Sequence, residues 1–405
     1  MQIWRVAWRN LGRNWKRTAI TFAAMFLSTA LLIVSYALIF GMIGDMENSI
    51  TDLMLGEVQV HHRSYLTERS IYDTVSDPGA ILDAAHEAGI AASARAFGFG
   101  LLSGGIKSAG AQFWGIDPAA ERAVSDLPTH LFAGQFLDNA PPRSMVLGKK
   151  LARALDADVG AELIVVVQAA DGSLGNDMYT VIGILKSAGE GIDRSLAMVS
   201  QSDFEALFML PGQRHEIVLN SRGSLTPEGI RSILAPAIGT NAAQTWMDLL
   251  PSIARMLESM TGMILIFGAV FFLAAGLGIL NTMLMATYER IPEFGLIKAI
   301  GASPWRIMKE VTAEALVLCA VASVAGGVAG CSLALYFQYH PIDLSGFAEG
   351  FNTSGVVFSA RWRAALTPFA VFYPVLMMWV VSLFAAIYPA SKAARIDPIR
   401  AMTHV

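Results

Sequence analysis

The sequence predicts an α-helical membrane protein with four transmembrane helices and a large α+β extracytoplasmic domain. Apolar residues make up 54% and charged residues only 15% of the 405 positions, and the mean hydropathy is +0.50. Soluble domains carry about a quarter charged residues, so this surplus of apolar residues indicates membrane spans. Four stretches lack Asp, Glu, Lys and Arg and exceed the roughly 20 residues that a helix needs to cross the hydrocarbon core: 18–44, 259–288, 315–342 and 364–391.

The first apolar stretch is interpreted as a retained span and not as a cleaved signal peptide. It is too long for a typical signal-peptide core, and three further apolar stretches follow it. The predicted organisation is an N-terminal helix 1–17, transmembrane helix 18–44, extracytoplasmic domain 45–258, transmembrane helix 259–288, cytoplasmic coupling loop 289–314, transmembrane helix 315–339, outer loop 340–363, transmembrane helix 364–391 and tail 392–405.

The distribution of charge predicts the orientation of these spans. Residues 1–17 carry five basic and no acidic side chains, and the tail is also basic. Basic flanks stay in the cytoplasm, so both termini are predicted inside and the large domain outside. Residues 45–258 contain 15 basic and 26 acidic residues, in agreement with this orientation, whereas Arg361 and Arg363 fall on the outer side and oppose it.

The first residues predict an amphipathic helix at the membrane interface. At 100° per residue, three indoles fall on one helix face beside a stripe of guanidinium groups. These residues are Trp4, Trp8 and Trp15, and Arg5, Arg9 and Arg13. Such a helix places its indoles at the headgroup level and its cations near anionic lipid. The alternative is that this segment is only a basic flank that sets the topology.

The residues between the first two spans predict a domain of mixed secondary structure. Alternating or β-branched residues predict strands at 56–62, 162–168, 178–185 and 215–220. Apolar periodicity and start signals predict helices at 77–88, 145–154 and 226–234. We therefore expect an α+β domain with one strand-rich part and one part with more helix.

Catalysis within this chain is not expected. The 405 residues contain no Gly-x-x-x-x-Gly-Lys-Ser/Thr motif, so ATP binding through a P-loop is not predicted. His61 and His62 are adjacent on a predicted strand and should point in opposite directions, which disfavours a metal site. Cys319 and Cys331 would lie about 18 Å apart on one helix, too far for a disulfide. We expect no catalytic residue, metal or cofactor here.

The charged stretch between the second and third apolar runs predicts a docking element. Phe294, Ile297 and Ile300 recur at helical spacing, and Gly301 is a plausible helix stop. Ser303 followed by Pro304 predicts a new helix, with Ser as the N-cap and Pro in the first turn. A short helix, a turn and a second helix are therefore expected on the cytoplasmic side, where another protein would dock.

Three motifs of the sequence resemble those of one membrane-protein family. The segment YERIPEFGLIKAIGASPWRIMKEVTAEAL at 288–316 resembles the cytoplasmic loop of FtsX/MacB-like ABC transporter permeases, also called type VII or mechanotransmission transporters. The tail YPASKAARIDPIRAM at 388–402 resembles their C-terminal signature, and AWRNLGRNWKRTAIT at 7–21 their N-terminal helix. One span, a large outer domain with a MacB-like periplasmic core and three further spans are also their arrangement.

The resemblance implies partners that this chain does not itself contain. Two permease chains, identical or homologous, would pair in the bacterial inner membrane above two copies of a separate ABC ATPase, which would bind ATP and Mg²⁺. No nucleic acid partner is implied. The residues implied to contact or couple to the ATPase are Glu289, Arg290, Glu293, Phe294, Gly295, Leu296, Lys298, Gly301, Ala302 and Ser303.

Within the family, the chain resembles LolC/LolE-type lipoprotein-releasing permeases. Acyl chains would then occupy a lipid-open cleft between the first two spans, although the same side chains would also suit ordinary helix packing. The implied cleft residues are Phe22, Met25, Phe26, Leu32, Met263, Phe267, Phe271 and Met283. The connection at 169–177 is short for the hairpin that docks a periplasmic lipoprotein carrier in relatives, which counts against that partner.

Three functions follow as expectations from the resemblance. The leading one is ATP-driven extraction of lipoproteins or other lipid-anchored cargo from the inner membrane. The second is MacB-like efflux of peptides or antibiotics with an adaptor and an outer-membrane duct. The third is FtsX-like transmembrane signalling to a cell-wall hydrolase.

Overall fold

The computed structural model describes residues 15–186, 189–343, 352–353, 356–357 and 361–395. The chain divides into two compact units. The helical unit consists of Met1–Gly44, Leu257–Leu344 and Arg361–Val405, and the α+β unit consists of Asp45–Met256 and Ser345–Ala360.

Thirteen helices are present in these described ranges. They are α1 Trp15–Ile50, α2 Tyr65–Glu68, α3 Pro78–Glu87, α4 Pro118–Val124, α5 Lys149–Leu155, α6 Glu190–Ser195, α7 Gln201–Phe208, α8 Pro227–Ile238, α9 Trp246–Leu249, α10 Pro251–Glu289, α11 Ile291–Ala299, α12 Pro304–Tyr339 and α13 Pro368–Ala394. A π-helical turn, Thr51–Leu55, follows α1, and a 3₁₀ turn spans Leu127–Thr129.

The strands in the described ranges are also numbered in chain order. They are β1 Val58–His61, β2 Ala91–Gly104, β3 Lys107–Ile116, β4 Leu131–Gly134, β5 Ser144–Leu147, β6 Glu162–Gln168, β7 Leu174–Leu185, β8 Leu196–Ser200, β9 Glu216–Asn220, β10 Ala242–Thr245, β11 Ile342–Asp343, β12 Asn352–Thr353, β13 Val356–Val357 and β14 Arg361–Trp362.

Four of the described helices are long and apolar enough to cross a membrane, which confirms the predicted fold class. They are the helical segment Thr18–Leu55, α10, α12 and α13. At 1.5 Å per residue, the 39 residues of α10 extend about 58 Å, well beyond a hydrocarbon core of about 30 Å. The ends of this helix must therefore project from the membrane.

Close helix packing in the helical unit depends on small residues. A Cβ atom on Gly326 would lie 2.7 Å from the Phe26 carbonyl oxygen, and one on Gly330 would lie 3.0 Å from the Ala30 carbonyl oxygen. This Gly-x-x-x-Gly spacing on α12 therefore lets the α1 backbone approach closely. The Tyr36 hydroxyl on α1 donates to the Ile264 carbonyl oxygen on α10 at 3.3 Å.

The α+β unit is organised around the long strand β2. Its first half pairs with β9 in a sheet of order β10-β1-β9-β2, and α3 and α8 supply apolar residues to the core of that part. Its second half pairs with β3 and β6, and the pairs β3–β8, β8–β5, β5–β7 and β7–β6 close a six-stranded ring. The predicted mixture of a strand-rich part and a more helical part agrees with this arrangement.

A buried ion cluster lies where β2 passes from the sheet to the ring. Arg95 donates from Nη2 to Glu121 Oε1 at 2.6 Å and from Nη1 to Glu216 Oε1 at 3.0 Å. Its Nη1 also donates to the Met54 carbonyl oxygen at 2.7 Å. A buried charge is tolerated only when it is paired and hydrogen-bonded, and this one ties the π-helical turn after α1 to β2.

Most predicted elements of the α+β unit are present, and one prediction is wrong. The predicted helix 145–154 is a strand followed by a helix, because Ser144–Leu147 forms β5 and only Lys149–Leu155 is helical. All four residues of β5 are buried, so both faces of this strand are covered, as in a central strand. Gly148 separates the elements, and a Cβ there would lie 2.4 Å from the Ile192 carbonyl oxygen.

Candidate functional site

The candidate site is the coupling segment, residues 289–314, which joins α10 to α12. The predicted short helix is confirmed as α11, and Pro292 lies in its first turn, where a missing N–H removes no helical hydrogen bond. The helix ends at a tight turn in which the Gly301 N–H donates to the Lys298 carbonyl oxygen at 2.9 Å. Gly301 has φ of +100°, a conformation that favours glycine.

The second helix restarts as predicted, with Ser303 as its N-cap and Pro304 in its first turn. Pro304 occupies the first turn of α12, and Ser303 has the extended backbone of an N-cap residue. The Ser303 side chain forms no capping hydrogen bond, so only its backbone conformation marks it as the N-cap. The Ser303 carbonyl instead accepts from the Arg306 N–H at 3.0 Å, and the fixed proline angle helps to start the helix.

The exposed apolar surface of the coupling segment differs from the predicted one. Phe294 was predicted at a protein contact, but its side chain is fully buried in the core, and Gly295 is also buried. The exposed apolar side chains are Leu296 (54% exposed), Ile300 (79%) and Trp305 (66%). We call these three residues the apolar surface. Phe294 therefore packs in the core and is not part of the apolar surface.

Arg290 holds α11 against the first turns of α12. Its guanidinium donates to Glu314 at 2.8 Å, to Glu293 at 3.1 Å and to Glu310 at 3.4 Å. The same group lies 5.0 Å from the centroid of the Phe294 ring. Burial alone would lower the pKa of Arg290, but the carboxylates, Glu314 first, raise it above its usual value. Arg290 is therefore a charged anchor between two helices.

A second contact holds the far end of α11. Lys298 Nζ donates to the Ala394 carbonyl oxygen at the end of α13, at 3.0 Å. Lys298 and Glu293 are half-buried, whereas Glu289, Gly301 and Ser303 are exposed and Ala302 is half-buried. Arg290 and Lys298, predicted as contact residues, thus act inside the helical unit. These contacts connect α11 to both α12 and α13.

Trp305, Glu310 and Glu314 belong to this site but were not predicted from the sequence. Glu310 and Glu314 are spaced i, i+4 on α12 and so share one helix face, which is a readable signal for a shared cation. Their partner, Arg290, is twenty or more residues earlier in the chain, and no spacing rule links the two. Trp305 directly follows Pro304, and a single indole there forms no repeating pattern that would predict its exposure.

Of the eight predicted cleft residues, three are buried in the structure and five are accessible. Met25, Leu32 and Met283 are buried in the core of the helical unit, so these three assignments to an open cleft are wrong. Met25 and Leu32 lie on the face of α1 that also carries the buried Thr29 and Tyr36, and helical periodicity directs that face inward.

The remaining predicted cleft residues are accessible. Phe22 and Phe26 are half-buried and stack with ring centroids 6.0 Å apart. Met263, Phe267 and Phe271 are more than half exposed and form one stripe along α10 at a spacing of four residues. Their assignment to a lipid cleft stays a prediction.

The predicted interfacial helix lies largely outside the described residues. This applies to Trp4, Trp8, Arg5, Arg9 and Arg13, whereas Trp15 is the first described residue of α1 and is 66% exposed.

The described part of the chain contains no candidate metal site. No group of three or more His, Cys, Asp or Glu side chains is arranged to hold a metal ion in that part. His61 is buried against Glu216 at 3.2 Å, and its neighbour His62 bonds the Ser64 hydroxyl on the opposite side. Cys319 and Cys331 are free thiols. The two histidines thus have separate structural contacts.

Two family models match the chain. The model of the MacB-like periplasmic core domain matches residues 18–237, and that of the FtsX-like permease C-terminal region matches residues 265–398. Together they cover the coupling segment and most of the four candidate spans and of the α+β unit, and residues 238–264 lie outside both matches.

Curated relatives agree with these matches. The lipoprotein-releasing system transmembrane protein LolC of Neisseria meningitidis is 23% identical over 317 residues, which cover 75% of each chain. The macrolide export ATP-binding/permease protein MacB of Bdellovibrio bacteriovorus is 28% identical over 200 residues, which cover 49% of this chain and 26% of that protein. MacB of Neisseria gonorrhoeae is 24% identical, over 55% of this chain and 33% of its own length.

Two solved structures similar to this chain are isolated extracytoplasmic regions. The periplasmic region of MacB from Actinobacillus actinomycetemcomitans has 13% identity and a TM-score of 0.37, covering 49% of this chain and 91% of that one. The extracellular domain of YknZ from Gram-positive bacteria has 16% identity and a TM-score of 0.34, covering 46% and 97%. Because one family model alone matches more than half of the sequence, this chain belongs to the FtsX/MacB-like family of ABC-transporter permeases.

Proposed function

We propose that this chain is the membrane subunit of an ATP-driven transporter that extracts lipoproteins or other lipid-anchored cargo from the bacterial inner membrane. The observation that carries the proposal is the apolar surface on the coupling segment, because three large exposed apolar side chains there sit on a helix pair held by Arg290 and Lys298. Exposed apolar patches of this kind mark protein contacts.

In this proposal, the apolar surface docks in a groove of a separate ABC ATPase. Two ATPase copies bind ATP and Mg²⁺ below two permease chains, identical or homologous, and this chain binds no cofactor and performs no catalysis. Closure of the ATPases moves α11, and the anchors at Arg290 and Lys298 pass that movement to α12 and α13. The movement then does mechanical work on cargo outside the membrane.

The choice of lipid-anchored cargo is supported by the extent of the similarities. The match to LolC covers three quarters of both chains, whereas the matches to MacB proteins cover a third or less of their length. Met263, Phe267 and Phe271 add an exposed, deformable apolar stripe on α10 that suits acyl chains of varied shape.

The decisive experiment reconstitutes the permease with its ATPase in proteoliposomes that contain a triacylated lipoprotein. ATP-dependent release of the lipoprotein is expected. ATP hydrolysis without any release would rule out the extraction proposal.

The docking step has its own test. Ile300→Asp should abolish co-purification of the ATPase and its stimulation, because a charge replaces an apolar contact residue. Tyr339→Asp is the matched control, since Tyr339 is 76% exposed at the opposite end of α12. Normal stimulation in Ile300→Asp would show that the apolar surface is not the ATPase contact.

A second candidate function is MacB-like efflux, and one observation favours it. The β6–β7 connection comprises only residues 169–173, so this hairpin has no long extension for a periplasmic lipoprotein carrier. Co-purification of an adaptor protein, with no lipoprotein in the same preparation, would favour efflux.

A further inference from the structure

A groove between α12 and α13 lies at the end of α12 that carries the coupling segment. Its cavity volume is about 440 Å³, within the range of roughly 300–1,000 Å³ for ligand clefts. Trp305, Lys309 and Thr312 line its polar part, and Leu316, Leu383 and Ile387 line its apolar part. The groove belongs entirely to the helical unit.

The polar side chains of the groove all carry hydrogen-bond donors: an indole N–H, an ammonium group and a hydroxyl. Their spacing of i, i+4 and i+7 places them on one face of α12. Within the described ranges, Trp305, Lys309 and Thr312 have no side-chain hydrogen bond or ion pair with the protein, and no carboxylate lines the groove.

The cations beside the groove are not ion-paired with the carboxylates of the same helix. Glu310 and Glu314, the acidic residues of this part of α12, are engaged by Arg290. Lys309 and its exposed neighbour Arg306 have no ion pair within the described ranges and lie beside an apolar channel. A phospholipid would match both the polar and the apolar part of the groove, with its anionic phosphate at Lys309 and an acyl chain along Leu316 and Leu383.

We propose that this groove binds one anionic phospholipid, with its phosphate at Lys309, Trp305 and Thr312. Basic pockets between transmembrane helices bind anionic lipid headgroups, and the donor set here fits phosphate oxygens. The site shares Trp305 with the apolar surface, is separate from the exposed stripe of α10, and does not depend on what the transporter moves. The lipid would fill the joint between α12 and α13 directly behind the coupling segment.

The test measures lipid retained by the purified full-length chain, with its ATPase where the two co-purify. Native mass spectrometry would follow competition between dioleoylphosphatidylglycerol and dioleoylphosphatidylcholine. One retained phosphatidylglycerol is expected for the wild type. Lys309→Ala should lower this preference by about fivefold, the effect of one interfacial cation, and Lys309→Arg should preserve it.

A second pair of variants keeps the proposal testable if Lys309→Ala does not fold. Thr312→Trp should fill the groove and remove the retained lipid, whereas Val324→Trp adds the same bulk at an exposed position of α12 away from the groove. Brominated phosphatidylglycerol should quench wild-type fluorescence more than that of Trp305→Phe, because the indole lies at the site.

Three outcomes would overturn the proposal. The first is equal retention of the two lipids by the wild type. The second is unchanged retention in Thr312→Trp. The third is a free chain, without its ATPase, in which brominated phosphatidylglycerol does not quench Trp305, since the groove would then hold no lipid.

Discussion

Arg290 lies between α11 and α12, and its one guanidinium group bonds three carboxylates from Glu293, Glu310 and Glu314. Arg290→Ala would leave these like charges together in a mostly buried place. We expect a loss of about 3 kcal/mol in unfolding free energy and loss of ATPase stimulation. Arg290→Lys should be intermediate, because a single ammonium cannot reproduce the planar fork.

The control for Arg290 is Arg306→Ala, a nearby exposed cation with no ion pair within the described ranges. Thermal unfolding of each purified chain and ATP hydrolysis by each complex would be measured. Equal effects of the two substitutions would show that Arg290 is an ordinary surface charge. Phe294→Asp is not a clean docking variant, because Phe294 is fully buried and the change would disturb the core.

The Glu121 carboxylate should make the stability of the α+β unit sensitive to acid. Burial alone would raise the pKa of Glu121, but the contacts with Arg95, Ser125 and Ser93 lower it below the usual value of 4.5. A folded-state pKa below the unfolded one stabilises the protein above pH 4.5, and this contribution is lost as the pH falls through the folded pKa.

Glu121→Gln should therefore reduce stability at neutral pH and flatten the pH dependence below 4.5. Glu162→Gln, at an exposed position of β6, should retain the wild-type profile. Tryptophan fluorescence of the full chain during denaturant unfolding, repeated at several pH values, would measure both. An unchanged acid profile in Glu121→Gln would contradict the role of the cluster.

At the scale of elements, contact between α1 and α12 depends on which glycines face α1. Gly326→Leu should destabilise the helical unit by about 1–3 kcal/mol, because the added side chain meets the α1 backbone. Gly327→Leu is the matched control, since a Cβ there has no neighbour within 4 Å. Thermal unfolding should show a larger loss of stability for Gly326→Leu than for Gly327→Leu. Equal losses of stability would mean that the change in helix propensity, and not contact with α1, causes the effect.

The elements also show where local sequence patterns succeed. Asp77 and Thr226 were predicted to start helices, and both side chains accept a capping hydrogen bond from the backbone. Such signals are local and need no knowledge of the fold. The segment at 145–154 was mispredicted because a short buried strand and a buried helix turn have the same apolar composition, and only pairing with β7 and β8 separates them.

At the scale of the whole molecule, the proposed orientation predicts how two exposed positions react. Ile106→Cys, at the fully exposed tip of the β2–β3 hairpin, should react with an impermeant maleimide in spheroplasts. Leu296→Cys should react only after the membrane is permeabilised. The reverse pattern would invert the proposed topology. The wild-type chain, with Cys319 and Cys331 within α12, measures the background labelling.

The sequence by itself determined the four apolar spans, the mixed domain between the first two and the helix–turn–helix of the coupling segment. These features depend on composition, periodicity and capping residues that are neighbours in the chain. Only the tertiary structure decided that Phe294 is buried, that Ile300 and Trp305 are exposed, and that Arg290 joins Glu310 and Glu314. The reason is physical: which face of a helix is covered depends on helices that are distant in sequence, and helical periodicity alone does not identify the face that meets them.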